Sequence, residues 1–291
     1  MRFTKMQGCG NDYIYIDGSR EKAENKAELA RVFSDRHFGI GGDGVIFINP
    51  SEKADFEMEM YNADGSRGRM CGNGIRCVAK YVYDKGLTDK NPLTIESFGA
   101  VKTLFLTLKD GKVDKVRVDM GEPILKASLV PVLTENTEGS TDTEERLIDT
   151  PLKVNGEINH ITAVSMGNPH AVVYVDDPGK IRIEDVGPHY EHHPAFPEGV
   201  NTEFIRVVDR STLEMRVWER GSGETFACGT GACAAAVASV LNGKTDRKVT
   251  VHLLGGDLLI EWDESDNHVY MTGPAVTVFE GEAEWDDRKE S

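Results

Sequence analysis

The chain has 291 residues and a formal net charge of −16, from 49 acidic and 33 basic side chains. That length allows two domains with full cores, and that charge argues against a nucleic-acid partner, which needs a basic face. The opening Met1-Arg2-Phe3-Thr4-Lys5-Met6 lacks the apolar run of a signal peptide, and no stretch approaches the length of a membrane span. Five sparsely spaced cysteines suit free thiols in a reducing cytoplasm.

In chain order, residues 13–16 read as a strand closed by Asp17-Gly18-Ser19, and a helix follows over about 23–33. A glycine cluster (Gly39, Gly41, Gly42, Gly44) leads into a strand over 45–48. It lacks the Gly-Lys-Ser/Thr ending of a phosphate loop and precedes a strand, so a phosphate-binding reading is rejected. Alternation over 56–61 predicts a half-buried strand, and Asn62-Ala63-Asp64-Gly65-Ser66 is turn chemistry. Cys71-Gly72-Asn73-Gly74 then opens a helix. Ile75, Val78, Ala79 and Val82 fall on one face of it, and Gly86 is placed to end it. Strands follow near 94–97, 101–108 and 113–119, with Asp110-Gly111 as a hairpin signal between the last two.

The segment 134–143 has no apolar residue and predicts a mobile surface loop. Residues 171–175, 203–208 and 212–218 read as strands. The helix after Cys228 is nearly all small apolar residues, and a helix apolar on every side is buried on every side. A last strand near 275–279 has no counterpart before residue 1 and is placed to complete the first lobe.

The two halves repeat at a spacing of 157 residues. Gly167-Asn168 falls on Gly10-Asn11, Glu214-Met215 on Glu57-Met58, Cys228-Gly229 on Cys71-Gly72, and Gly231 on Gly74. Gly243 falls on Gly86, Thr245-Asp246 on Thr88-Asp89 and Gly256 on Gly99, which predicts one ungapped register from residue 10 to residue 99. The expected fold class is α+β: two pseudo-symmetric lobes, each a rolled, mostly antiparallel, barrel-like sheet around a central helix. The first lobe takes residues 1–121 with 274–291 and carries Cys71; the second takes 122–273 and carries Cys228.

What the cysteines do is the central question. Cys71 and Cys77 are six apart, Cys228 and Cys233 five apart, and no histidine sits at ligand spacing, so a zinc knuckle is disfavoured. A thioredoxin-type redox pair lacks its spacing as well. Burial as small hydrophobes suits Cys77 and Cys233, beyond the first turn of their helices, and suits Cys9 less clearly. It does not suit Cys71 and Cys228, each of which precedes Gly-x-Gly where a helix begins. Glycines there let backbone N–H groups face a ligand. The positive helix end favours an anion and can lower a thiol pKa from about 8.5 to roughly 3.5–7.5. Two such ends facing one another could hold a carboxylate with a sulfur on either side. One thiolate would remove the α-proton while the opposite thiol protonates the other face, inverting the carbon. Two thiolates in one dry cavity would repel, so the pair is expected to share one proton.

These segments, with Met70-Cys71-Gly72-Asn73-Gly74-Ile75-Arg76-Cys77, Met166-Gly167-Asn168-Pro169-His170, Trp218-Glu219-Arg220-Gly221 and Ala227-Cys228-Gly229-Thr230-Gly231, closely resemble the diaminopimelate epimerase family, essentially end to end. The resemblance implies an isomerase without pyridoxal phosphate, other cofactor or metal, which interconverts LL- and meso-diaminopimelate for lysine and cell-wall precursors. It implies a cytoplasmic homodimer with a site between two lobes. It assigns acid/base roles to Cys71 and Cys228, and a carboxylate cradle to Gly72, Asn73, Gly229 and Thr230. Asn62 and Glu219 would hold the reacting ammonium with the Arg220 main chain. Asn11, Asn168, Asn201 and the Arg220 side chain would read the distal end, and His170 would support the cysteines. Taken singly, the asparagines read as turn residues and Glu219-Arg220 as a surface ion pair. Where the family often has glutamine, this chain has Gly44, and Asn201 is its repeat partner. The rivals are a proline or hydroxyproline ring epimerase, which needs an apolar pocket, a phenazine-type isomerase, whose acid/base group is a carboxylate, and a non-enzymatic thiol sensor.

Overall fold

The computed structural model describes residues 1–68, 70–133 and 146–286. The loop expected over 134–143 lies outside the described residues. The chain divides into two compact units, Met1–Val118 with Thr272–Ser291, and Asp119–Met271.

The first unit begins with the hairpin β1 (Arg2–Gly8) and β2 (Asn11–Asp17), closed by Cys9 and Gly10, both at positive φ. Helix α1 (Lys26–Ser34) follows. It starts later than the apolar pattern suggests, because the Asn25 side chain accepts the Glu28 N–H at 3.1 Å and caps it there. Then come β3 (Gly44–Asn49), β4 (Phe56–Asn62), α2 (Gly72–Asp84), β5 (Leu93–Ser97), β6 (Ala100–Lys109) and β7 (Lys112–Gly121). The β2–β3 and β4–β5 pairs are parallel, and β1–β2, β3–β4, β5–β6 and β6–β7 are antiparallel.

The second unit runs β8 (Thr150–Val154), β9 (Glu157–Ser165), β10 (Pro169–Tyr174), α3 (Ile183–Glu191), β11 (Asn201–Asp209), β12 (Thr212–Glu219), β13 (Gly223–Glu224), α4 (Gly229–Leu241), β14 (Lys248–Leu253) and β15 (Gly256–Trp262), and β16 (Val269–Pro274) begins in it and has its last three residues in the first unit. The last strand, β17 (Val276–Glu282), returns to the first unit and pairs antiparallel with β1.

The repeat is written into the hydrogen-bond register. Tyr13 pairs with Gly44 as His170 pairs with Asn201, and Val45 with Tyr61 as Thr202 with Trp218. Helices α1 and α3, and α2 and α4, begin and end at equivalent positions. The register does not last to Gly99 and Gly256, however. The β5–β6 turn is Phe98-Gly99, whereas the β14–β15 turn is Leu254-Gly255, one residue early. The second copy is therefore one residue shorter between its helix and β14, and the Gly256 match is a coincidence of composition.

Strand alternation gives each sheet two working faces. In the first unit Val45 and Phe47 pack under α1 with Leu29, Ala30 and Phe33, while α2 lies against β1, β2, β5 and β6. In the second unit Phe204 packs with Ile183 and Tyr190 of α3, while α4 contacts β9, β10, β11, β12, β14 and β15. Ten of the 13 residues of α4 are buried, as its all-round apolar sequence requires.

Candidate active site

Each central helix starts at a cysteine that caps it. Cys71 is extended (φ −133°, ψ 111°) and its Sγ accepts the Gly74 N–H at 3.2 Å. Cys228 repeats this (φ −109°, ψ 110°), with Sγ accepting the Gly231 N–H at 3.4 Å and Thr230 Oγ1 3.5 Å away. A sulfur at an N-cap satisfies a donor that the helix leaves open. The glycines leave room for the side chains packed against each turn. A Cβ on Gly74 would stand 2.9 Å from Ile46 Cδ1, and one on Gly231 would stand 2.6 Å from Glu203 Oε1. Gly72 and Gly229 are the first residues of their helices, and Asn73 is buried in the first turn of α2.

In the first unit Cys71 Sγ donates to Asn11 Oδ1 at 3.0 Å, and Asn11 Nδ2 donates to Asp43 Oδ2 at 2.7 Å. Arg36 reaches both Asp43 and Asp12, and Lys5 pairs with Asp12. Burial pushes the Asp12 carboxyl up, but hydrogen bonds from Arg36 and Lys5 outweigh it and hold it below its ordinary value. Asn62 ends β4 and donates its amide to Ser66 Oγ at 2.9 Å, in the turn its sequence predicts. Arg76 is fully buried; it donates to the carbonyls of Gly72 and Pro274, each at 3.1 Å. Gly44 cannot carry the glutamine common in the resembling family, since a Cβ there would lie 2.1 Å from the Tyr61 carbonyl oxygen.

In the second unit Asn168 and His170 lie at the start of β10, with Asn168 Oδ1 3.0 Å from His170 Nε2. His170 Nδ1 is 2.7 Å from Glu203 Oε1. Asn201 donates to the Pro169 carbonyl and accepts the Arg220 N–H, each at 2.9 Å, while the Arg220 guanidinium donates to the Glu198 carbonyl at 2.8 Å. Thr225 Oγ1 donates to Glu219. Glu219 is no surface ion pair. Burial pushes its carboxyl up, against hydrogen bonds from Thr225 and Cys228.

A helix N-terminus favours thiolate, yet the Cys228 thiol is pushed well above its ordinary value by burial and then by Glu219 and Glu203. The N–H of Gly231 and the hydroxyl of Thr230 oppose this and lose. Cys77 and Cys233 are fully buried, and Cys9 is 2% exposed. All five cysteines are unbridged. Asp43 and Glu203 escaped the sequence reading. Asp43 sits inside the glycine cluster, and Glu203 is signalled only as a charge on the inward face of a strand.

The diaminopimelate epimerase family model matches residues 3–126 and 162–278. The chain belongs to the diaminopimelate epimerase family. It is 57% identical to a diaminopimelate epimerase of Acetivibrio thermocellus over 98% of this chain and 99% of that one. It is 56% identical to one of Methanococcus maripaludis over 97% and 99%. Solved structures share the fold at far lower identity. A probable proline racemase from Agrobacterium radiobacter matches with a TM-score of 0.70 and 15% identity, covering 99% of this chain and 94% of that one. A Bacillus anthracis phenazine biosynthesis protein matches at 0.67 and 17%, covering 98% and 99%. The fold is thus shared with that probable proline racemase and that phenazine biosynthesis protein, while the sequence places this chain with the diaminopimelate epimerases.

Proposed function

We propose that the protein interconverts LL- and meso-diaminopimelate, with Cys71 and Cys228 as a two-group acid/base pair and no cofactor or metal. The observation that carries this reading is the pair of N-capping cysteines, each followed by Gly-x-Gly, at equivalent starts of the two central helices. One thiolate takes the α-proton; the carbon's electron pair moves into the adjoining carboxylate; the opposite thiol protonates the other face. The thiols end with their roles exchanged, so the reverse reaction starts from the product's state.

The carboxylate is received by backbone N–H groups of Gly72-Asn73 and Gly229-Thr230, at the positive ends of both helices. Each well-placed donor is worth roughly 2.7–4 kcal/mol to the enediolate that develops there. Asn62, Glu219 and the Arg220 main chain hold the reacting ammonium. Asn11, Asn168, Asn201 and the Arg220 side chain bind the distal amino acid end, with acceptors and one fixed guanidinium for a zwitterion. His170 supports the cysteines. In a cell the reaction lies in lysine and cell-wall precursor synthesis, in the cytoplasm, and the enzyme works as a homodimer.

The test is substrate choice with the cysteine variants. Purified protein without added pyridoxal phosphate or metal should epimerise LL-diaminopimelate and leave proline and hydroxyproline untouched, and Cys71→Ala and Cys228→Ala should each abolish turnover. Turnover of the ring amino acids would favour the proline-racemase-like reading, and full activity in either variant would remove the thiol pair.

A further inference from the structure

The strongest asymmetry between the units lies behind Cys228. Where the first unit has Tyr13 and Ile46, the second has His170 and Glu203, in the same register. Both replacements are fully buried. Glu203 Oε1 takes the contact with His170 Nδ1 at 2.7 Å, and Oε2 has no hydrogen-bond partner among the described residues. A Cβ on Gly231 would stand 2.6 Å from Oε1, so the carboxylate lies against the turn whose N–H caps Cys228. Packing does not demand a carboxylate at this position, because Ile46 fills it in the first unit. A half-satisfied buried carboxylate costs stability that an isoleucine would not.

We propose that Glu203 is a positioning residue for Cys228: its charge, set behind the cap of α4, keeps Cys228 as the protonated member of the acid/base pair, and its Oε1 fixes the His170 ring. The groups acting on Cys228 are Glu219 from β12, Glu203 from β11, and Thr230 with the Gly231 N–H from α4, while His170 from β10 stands against Glu203 and acts on Glu219. Glu219 is held by Thr225. Glu203 is the carboxylate whose removal leaves that ammonium-binding candidate intact. A single protonated sulfur at rest gives the pair a defined starting state, which two equivalent thiols in one cavity would lack.

This inference rests on Cys228 being an acid/base group, yet it is read without substrate. The pH dependence of iodoacetamide alkylation is followed at Cys71 and Cys228 separately, by peptide mass spectrometry. The proteins are wild type, Glu203→Gln, Glu203→Asp and the double variant His170→Tyr with Glu203→Ile, which carries the residues that occupy these places in the first unit. In Glu203→Gln the Cys228 midpoint is expected to fall by about one pH unit, making alkylation about tenfold faster below it. Glu203→Asp should stay near wild type, and the double variant should follow Glu203→Gln. A merely looser fold would raise the rate at every pH and leave the midpoint in place. A Cys228 midpoint unchanged in folded Glu203→Gln, or in the double variant should the single one not fold, overturns the proposal. A wild type that alkylates as expected but does not epimerise diaminopimelate would refute the function and leave this inference standing.

Discussion

Cys71 Sγ lies 3.0 Å from Asn11 Oδ1, and Asn11 is in turn held by Asp43 at 2.7 Å. The thiol that caps α2 is thus tied to the β1–β2 hairpin and to the glycine cluster before β3. Asn11→Ala removes the acceptor and is expected to cut turnover about tenfold to a hundredfold, the scale of one hydrogen bond to a charged or reacting group. Asp43→Asn leaves Asn11 in place and should cost less. Steady-state kinetics with thermal melts separates the two: the Asn11 effect should fall on kcat through Cys71 and on KM through the distal end of the substrate, while the melting temperature barely moves.

The two helix-start glycines should respond differently to the same substitution. In Gly74→Ala the new methyl meets the tip of Ile46, which can turn aside. In Gly231→Ala it meets a carboxylate oxygen fixed by His170. Overpacking of this kind costs roughly 1–3 kcal/mol, and Gly231→Ala should lie at the upper end. Denaturant unfolding checks it; equal losses would mean that Glu203 moves as freely as Ile46.

Restoring the family's common glutamine at Gly44 should harm this protein. A Cβ would lie 2.1 Å from a backbone carbonyl of the paired strand and 2.7 Å from Tyr13 Cε1. Gly44→Gln is expected to lower the melting temperature with no gain in kcat/KM. A variant as stable as wild type would show that β3 and β4 part easily.

Stability should fall on the alkaline side. Burial pushes the Tyr15 phenol well above its ordinary 10.0, the Tyr174 phenol up to about 12, and the Cys77 thiol above 9.0. Below the unfolded-state values both states hold these protons and stability is complete. Between the unfolded and folded values only the unfolded chain releases them, so stability drops as pH rises from about 9. Urea midpoints should be level up to that point and then decline. A midpoint flat to about pH 12 would mean that these groups are solvated in the fold.

Much of this was legible in the chain. The 157-residue repeat named both capping cysteines, and the small apolar run after Cys228 told of a helix buried on all sides. Helix α3 was hidden by Gly187 and Pro188 inside it; the glycine is needed because a Cβ there would press 2.3 Å from the Trp218 ring. The slip before β14 was hidden by an accidental glycine match. Glu203 and Asp43 were hidden for a more general reason. A carboxylate in a strand or glycine loop looks like a solvated charge until its burial and partners are known. The upward push on the Cys228 thiol is hidden likewise: sequence shows the helix end beside it but not the burial, nor the carboxylates of Glu219 and Glu203 that add to it.

The central claim is that two thiols work on opposite faces of one carbon, and early-time labelling in heavy water tests it most directly. LL-diaminopimelate is turned over briefly in deuterium oxide, and product and recovered substrate are separated and weighed by mass spectrometry. With two groups, the proton removed stays on one sulfur while the other delivers deuterium. The expected result is therefore meso product labelled at the α-carbon and recovered LL substrate almost unlabelled. Equal label in both from the earliest time points would mean one base serving both faces, and would contradict it.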